Sequence, residues 1–135
     1  MTRVYVDMVA DLFHAGHVTF LGQARELGDE LVVGVHNDAD VASYKRLPIC
    51  SMAERIAVVR ACRLVDEVVP DAPLSIDEDF LDRHRIDVVV HGDDFDADKL
   101  ARFYPGALAR GALRTVPYTP GISTSDIMRR VKERG

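Results

Sequence analysis

The chain has 135 residues, 47% hydrophobic and 29% charged, with a formal charge of −5, enough for one domain with a real core and too apolar for disorder. Lysines and arginines are scattered, which argues against a nucleic-acid footprint, and no stretch approaches the ~18–20 apolar residues of a membrane span. A single Arg before a strand-like segment does not read as a signal peptide, and Cys50 and Cys62 have neither disulfide density nor metal spacing, so a reducing cytoplasm is the expected location.

In chain order, Val4 to Val9 reads as a strand buried on both faces. Gly16 to Leu27 follows with apolar positions Val18, Leu21, Ala24 and Leu27 and a helix-ending Gly28. Glu30 to Val35 is a second buried strand. Ser51 and Glu54 form a capping-box pattern, opening a helix that sends Ile56, Ala57 and Val59 to the core, places Cys62 on its apolar face and ends near Arg63. Val65 to Val69 is a third strand, stopped by Pro70 and Pro73. Ser75 and Glu78 repeat the capping box before a helix to about His84, then Ile86 to Val90 is a fourth strand and His91 to Asp94 a polar turn. Asp96 to Gly111 is helical with a break at Pro105 and Gly106, Leu113 to Val116 is a fifth strand, and Ser123 to Arg134 is a helix with a polar start and a basic end. The expectation is a single Rossmann-like α/β domain over residues 1–135, a five-stranded parallel sheet with helices on both faces. Ligands bind such sheets beyond the carboxyl ends of the strands, where His14, Asp93 and the segment from Tyr118 to Ser125 gather.

Two segments carry chemistry. "HAGH" places His14 and His17 at a strand–helix junction. Either ring alone reads as a surface or cap residue, and a zinc pair would stand four apart with further ligands nearby. Together they read differently. Gly16 lets a bulky ligand approach the backbone, the helix N-terminus beneath favours phosphate, and two imidazoles can donate to phosphoryl oxygens. "TPGISTSDI" has Gly121 for a tight turn and Ser123, Thr124 and Ser125 at a second helix start. It reads alone as a well-capped helix, but two such termini on one sheet edge can hold a chain of phosphates.

"HAGH" matches the HxGH signature of the nucleotidyltransferases, and "GISTSDI" matches the R-T-x-G-I-S-T-[ST] signature of their cytidylyltransferase branch. "CRLVDEVVP" (Cys62 to Pro70) resembles that branch's R-Y-V-D-E-V segment, and "VVHGDD" its G-D-D turn. The resemblance runs along nearly the whole chain. It implies transfer of CMP from CTP to a small phosphorylated alcohol, with Mg²⁺, giving a CDP-alcohol and pyrophosphate. It implies that His14 and His17 stabilise the α-phosphate and the departing pyrophosphate, and that Ser123 and Thr124 bind the β- and γ-phosphates. Gly92, Asp93 and Asp94 would face cytosine and ribose, and Lys45, with Arg46 beside it, would contact phosphate. Arg55 and Arg63 match basic motif positions, Arg63 also matching a contact of the homodimer that the resemblance implies. Gly16, Thr119, Gly121, Ile122 and Ser125 complete the nucleotide-binding set. Without the motif order, Lys45 and Arg46 read as solvated, Arg55 as a surface charge, Arg63 as a dipole partner and the two aspartates as turn formers.

Two positions depart from the pattern. The family's G-x-F-D reads Met8, Val9, Ala10, Asp11, leaving the amides of Val9 and Ala10 for phosphate or ribose, with Asp11 retained. The arginine of the second signature is Tyr118, whose hydroxyl cannot replace a guanidinium fork; Arg114 lies four residues earlier. A CTP-binding regulatory module and an adenylyltransferase therefore stand as alternatives, as does the glycerol-3-phosphate acceptor. Phosphoethanolamine is the expected acceptor. Its ammonium wants a carboxylate or an aromatic box, for which Asp94, Asp96, Phe95 and Tyr104 are candidates, and the segment from Phe95 to Arg114 is expected to decide the acceptor.

Overall fold

A computed structural model describes residues 1–117 and 121–135, so the expectations for Tyr118 and Thr119 lie outside the described residues. The elements are β1 (Arg3–Met8), α1 (Ala15–Arg25), β2 (Glu30–Val35), α2 (Asp38–Ala42), α3 (Met52–Ala61), β3 (Glu67–Val69), α4 (Glu78–Arg83), β4 (Val88–Gly92), α5 (Ala97–Phe103), α6 (Pro105–Ala109), β5 (Leu113–Val116) and α7 (Thr124–Arg134). All described strand pairs are parallel, in the order β3-β2-β1-β4-β5. This is the expected Rossmann-like sheet.

Period-two alternation sorts the strand residues between two cores. Val4, Val6, Val33 and Val90 pack with Leu21 and Ala24 of α1 and Val59 of α3. Tyr5, Val32 and Val89 pack on the other face with Phe80 and Leu81 of α4 and Ala107 of α6. The strand order reverses between β1 and β4, so a crevice opens beyond their carboxyl ends.

Several local expectations shift. In α1 only Leu21 and Ala24 are buried and Val18 is 43% exposed, and the helix ends at Arg25, so Leu27, also 43% exposed, lies beyond it. In α3 Ala57 is exposed and Arg55 takes the buried position. That helix stops at Ala61, leaving Cys62 as an extended C-cap packed at the edge of the core. Asp77, not Ser75, caps α4, accepting from the Phe80 amide at 2.8 Å, and Ser75 Oγ instead donates to the Arg102 carbonyl. A carboxylate at a helix start also meets the dipole favourably. The fourth strand begins at Val88 and runs on to Gly92, because His91 and Gly92 pair with Thr115 and Val116 of β5. The short helix α2 was not expected; Asn37 caps it by accepting from the Asp40 amide at 2.7 Å.

Candidate functional site

After β1 the chain turns sharply, with Ala10 (φ 60°) and Leu12 (φ 49°) both in the left-handed region. Non-glycine residues there cost about 1–3 kcal/mol each and persist only where surroundings over-determine them. Asp11, between them, supplies the restraint. Its carboxylate accepts from the amides of Ile49 and Cys50, each at 2.9 Å, and its carbonyl accepts from Thr124 Oγ1 at 3.0 Å. Asp11 is buried and its carboxylate is committed to the loop before α3. The expected nucleotide contact is thereby corrected to a clamp joining three segments.

His14 is the N-cap of α1. Its Nδ1 accepts from the Gly16 amide at 3.0 Å, and its own amide donates to His17 Nδ1 at 3.1 Å. With both Nδ1 atoms accepting, each neutral ring carries its hydrogen on Nε2. The rings lie 4.0 Å apart between centroids, and Phe13 stacks on His17. A Cβ at Gly16 would stand 2.8 Å from His14 Cε1, so the glycine makes room for the ring that caps its own helix. Burial first, then the neighbouring His14 and the Lys45 charge, push the His17 pKa down to about 4 despite Asp11; burial also lowers that of His14. At neutral pH both rings are neutral Nε2–H donors.

The start of α7 closes the opposite side. Ser123 caps it, accepting from the Asp126 amide at 3.0 Å, and Gly121 has φ 92° in the preceding turn. Ile122, Ser123 and Thr124 line one cleft of about 260 Å³ with His14, Gly16 and His17. Two helix N-termini therefore converge there, where their dipoles favour anionic oxygens, with the Gly16 and Asp126 amides taken by the capping side chains. Gly92 and Asp94 form its other wall, where a Gly92 Cβ would lie 2.8 Å from Asp94 Oδ1. The Asp93 amide donates to the Val116 carbonyl, and neither Asp93 nor Ser125 lines this cleft.

The basic residues divide. Lys45 is exposed outside the cleft lining, but its charge acts on His17; Arg46 lies against Met128 of α7. Arg63 is exposed and does not line the cleft. Arg55 is corrected outright. It is 1% exposed, donating to the carbonyls of Val9 (2.7 Å), His36 (2.8 Å) and Cys50 (3.3 Å) and pairing with Asp38. With Met52 Sδ as a further partner at 3.4 Å, all five N–H donors are spent and none is left for a nucleotide, and the Val9 backbone is held from behind.

Sequence reasoning missed Asp7. Its side chain is 3% exposed, yet the residue lines the cleft. Oδ1 accepts from the Tyr104 hydroxyl at 2.6 Å, while Oδ2 is buried without a hydrogen-bond partner and stands 3.7 Å from His36 Nε2. The Tyr44 and Tyr104 hydroxyls are raised by burial first and then by Asp7, so Tyr104 remains a donor; His91 packs on Tyr104 and Phe95. Of the expected box, Tyr104 and Asp94 reach this region, whereas the Asp96 carboxylate caps α5. The signal was present: an acid inside "VYVD", a strand otherwise reading as buried on both faces.

A sequence model described as cytidylyltransferase-like matches residues 8–130. The chain belongs to the cytidylyltransferase-like family. It is 43% identical over 130 residues to an ethanolamine-phosphate cytidylyltransferase of Dictyostelium discoideum, with 96% of this chain and 36% of that protein covered. The corresponding figures are 40% over 140 residues, with 96% and 32% covered, for the Arabidopsis thaliana protein of that name. For choline-phosphate cytidylyltransferase A of Rattus norvegicus they are 39% over 132 residues, with 96% and 36% covered. The chain thus spans about a third of the length of these relatives. A crystal structure of the lipopolysaccharide core biosynthesis protein from Thermoplasma volcanium GSS1 superposes with a TM-score of 0.72 at 26% identity, covering 90% of this chain and 99% of that one. Among the described residues, no helix is long and apolar enough to cross a membrane.

For this cytidylyltransferase-like cleft, the lowered His17 pKa has a consequence for stability. The unfolded ring, near pH 6.5, binds a proton more readily than the folded one, near 4. Stability is therefore full above about pH 6.5, falls as pH drops toward 4 and levels below it, by about 2–3 kcal/mol at most. Chemical denaturation across that range should show the loss, and His17→Asn should flatten it. An equal slope in that variant assigns the loss to other groups.

Proposed function

We propose that this chain transfers CMP from CTP to phosphoethanolamine. A phosphate oxygen of the acceptor attacks the α-phosphorus of CTP, the bond to the oxygen bridging the β-phosphorus breaks, and pyrophosphate leaves. The phosphate monoester is already an anionic nucleophile, so no general base is needed and positioning with charge stabilisation supplies the rate. Nε2–H of His14 and His17 would donate to the α-phosphate and the leaving group, with the α1 and α7 termini cradling the remaining phosphates. Lys45 would add charge from the loop.

The observation that carries the acceptor is Asp7. A buried carboxylate with one unpartnered oxygen, walled by Tyr104 and His91, suits a cation better than the hydroxyls of glycerol. The names of the similar proteins support the same choice. Mg²⁺ belongs to the proposal as an ion carried on the triphosphate. Among the described residues no group of three or more His, Cys, Asp or Glu stands together to hold one, and Mg²⁺ commonly binds through substrate phosphates. A binding module without turnover is the second reading, favoured by Tyr118 in the place of an arginine.

Pyrophosphate release with Mg²⁺ tests this, using CTP or ATP against phosphoethanolamine, phosphocholine, glycerol 3-phosphate and no acceptor. Release with CTP and phosphoethanolamine is expected, with kcat/KM at least about tenfold above glycerol 3-phosphate. A reversed ratio overturns the acceptor, consumption of ATP in place of CTP overturns the nucleotide, and CTP binding with silence across the panel favours the module.

A further inference from the structure

His36 was not singled out by any motif, and it directly follows the apolar strand β2. Its amide donates to the Met8 carbonyl at 3.1 Å, continuing the β1–β2 ladder, and its carbonyl is held by Arg55. In that register Asp7 stands opposite Gly34, where a Cβ would come within 2.0 Å of the Tyr5 hydroxyl. Side chains two apart on a strand share a face. Tyr5 and Asp7 from β1 and His36 from the end of β2 thus meet on the Tyr104 side of the sheet.

The ring's orientation is set by its other nitrogen. His36 Nδ1 lies 3.1 Å from the Ala72 carbonyl, which can only accept, so Nδ1 bears a hydrogen. With that hydrogen on Nδ1, the lone pair of an uncharged ring lies on Nε2, which faces Asp7 Oδ2 at 3.7 Å, and Oδ2 is itself a buried acceptor without a hydrogen-bond partner. The separation is too long for a direct hydrogen bond. One nitrogen placed about 2.8 Å from each atom would satisfy both.

Building on the amino-alcohol reading of the cleft, we infer that Asp7 Oδ2 and His36 Nε2 form a two-acceptor seat that selects a primary ammonium over a quaternary one. A primary ammonium carries three N–H donors and can bond both atoms. A trimethylated ammonium carries none, so it leaves both acceptors desolvated and unpaired. Sites built to hydrogen-bond a group discriminate strongly against analogues that lack it. Asp7 alone attracts either cation by charge. His36 adds the requirement for N–H.

The test measures kcat and KM for phosphoethanolamine and phosphocholine at saturating CTP, in wild type, His36→Asn and His36→Gln. The asparagine amide can still donate to the Ala72 carbonyl but has no acceptor at the Nε2 position; the glutamine amide oxygen reaches near that position. His36→Asn is expected to raise KM for phosphoethanolamine about tenfold. KM for phosphocholine and for CTP and kcat should hold, so the preference narrows by the same factor. His36→Gln should regain part of it, and it carries the test if His36→Asn does not fold. Equal losses on both acceptors, or an unchanged preference, overturn the inference and leave the amino-alcohol reading standing. A fall in KM for phosphoethanolamine also overturns it, since the ring would then be an imidazolium competing for Asp7. Wild-type turnover with glycerol 3-phosphate alone overturns that reading and the seat together.

Discussion

His14→Asn is expected to keep the fold and lose turnover, with kcat lower by about 10²–10³-fold. The substitution separates two tasks that one ring performs. His14 Nδ1 caps α1 through the Gly16 amide, and an asparagine oxygen is among the best replacements for that duty. The Nε2–H, which points away from the cap, has no equivalent on the shorter side chain. His14→Ala loses both, adding about 1 kcal/mol of destabilisation to the same drop in kcat. His17→Ala is expected to match that drop, because His17 Nδ1 is committed to the His14 amide and its Nε2–H is likewise the outward donor. Stopped-flow or steady-state pyrophosphate release, with circular dichroism to confirm folding, measures each variant. Wild-type turnover in folded His14→Asn would remove that ring from the chemistry.

Arg55→Ala should chiefly destabilise the protein, by about 2–4 kcal/mol, because the carbonyls that the buried guanidinium holds lose their donors. The guanidinium collects three carbonyls, from Val9 at the end of β1, His36 at the end of β2 and Cys50 before α3, and pairs with Asp38 at the start of α2. Truncation would leave the buried His36 carbonyl and the half-buried Val9 and Cys50 carbonyls without that donor, and a buried unpaired acceptor costs about 1–3 kcal/mol. Arg55→Lys recovers only part, since an ammonium cannot reproduce the planar fork. Equilibrium urea unfolding measures the loss. A variant as stable as wild type with a raised KM for CTP would instead show that Arg55 serves the nucleotide.

The two residues illustrate how far one dimension reaches. Apart from α2, the type and order of the elements were legible in the chain, since period-two apolar runs and capped amphipathic segments are local patterns. The β2 and β5 boundaries agree with expectation, and the helical stretch after Asp96 is broken as expected, though at Tyr104, with Pro105 and Gly106 opening α6. The motifs at His14–His17 and Ser123–Thr124 were legible too, because each is a contiguous stretch tied to a helix start. The convergence of those stretches also followed from strand alternation, which sends every strand's carboxyl end to one edge.

Charge at single positions was not legible in this way. Arg55 occupies a helix position that periodicity leaves open, and only the meeting of three loop carbonyls makes burial of a guanidinium favourable. Asp11 matched a motif, but its partners are amides at Ile49 and Cys50, far along the chain. Asp7 depends on Tyr104, 97 residues away. Sequence by itself determined the sheet, most of its helices and the turns that open α1 and α7, because local hydrogen bonding and apolar period dictate them. Tertiary structure alone decided which ionisable groups face the cleft and which are spent holding it, because the partners that make a buried charge tolerable come from distant segments.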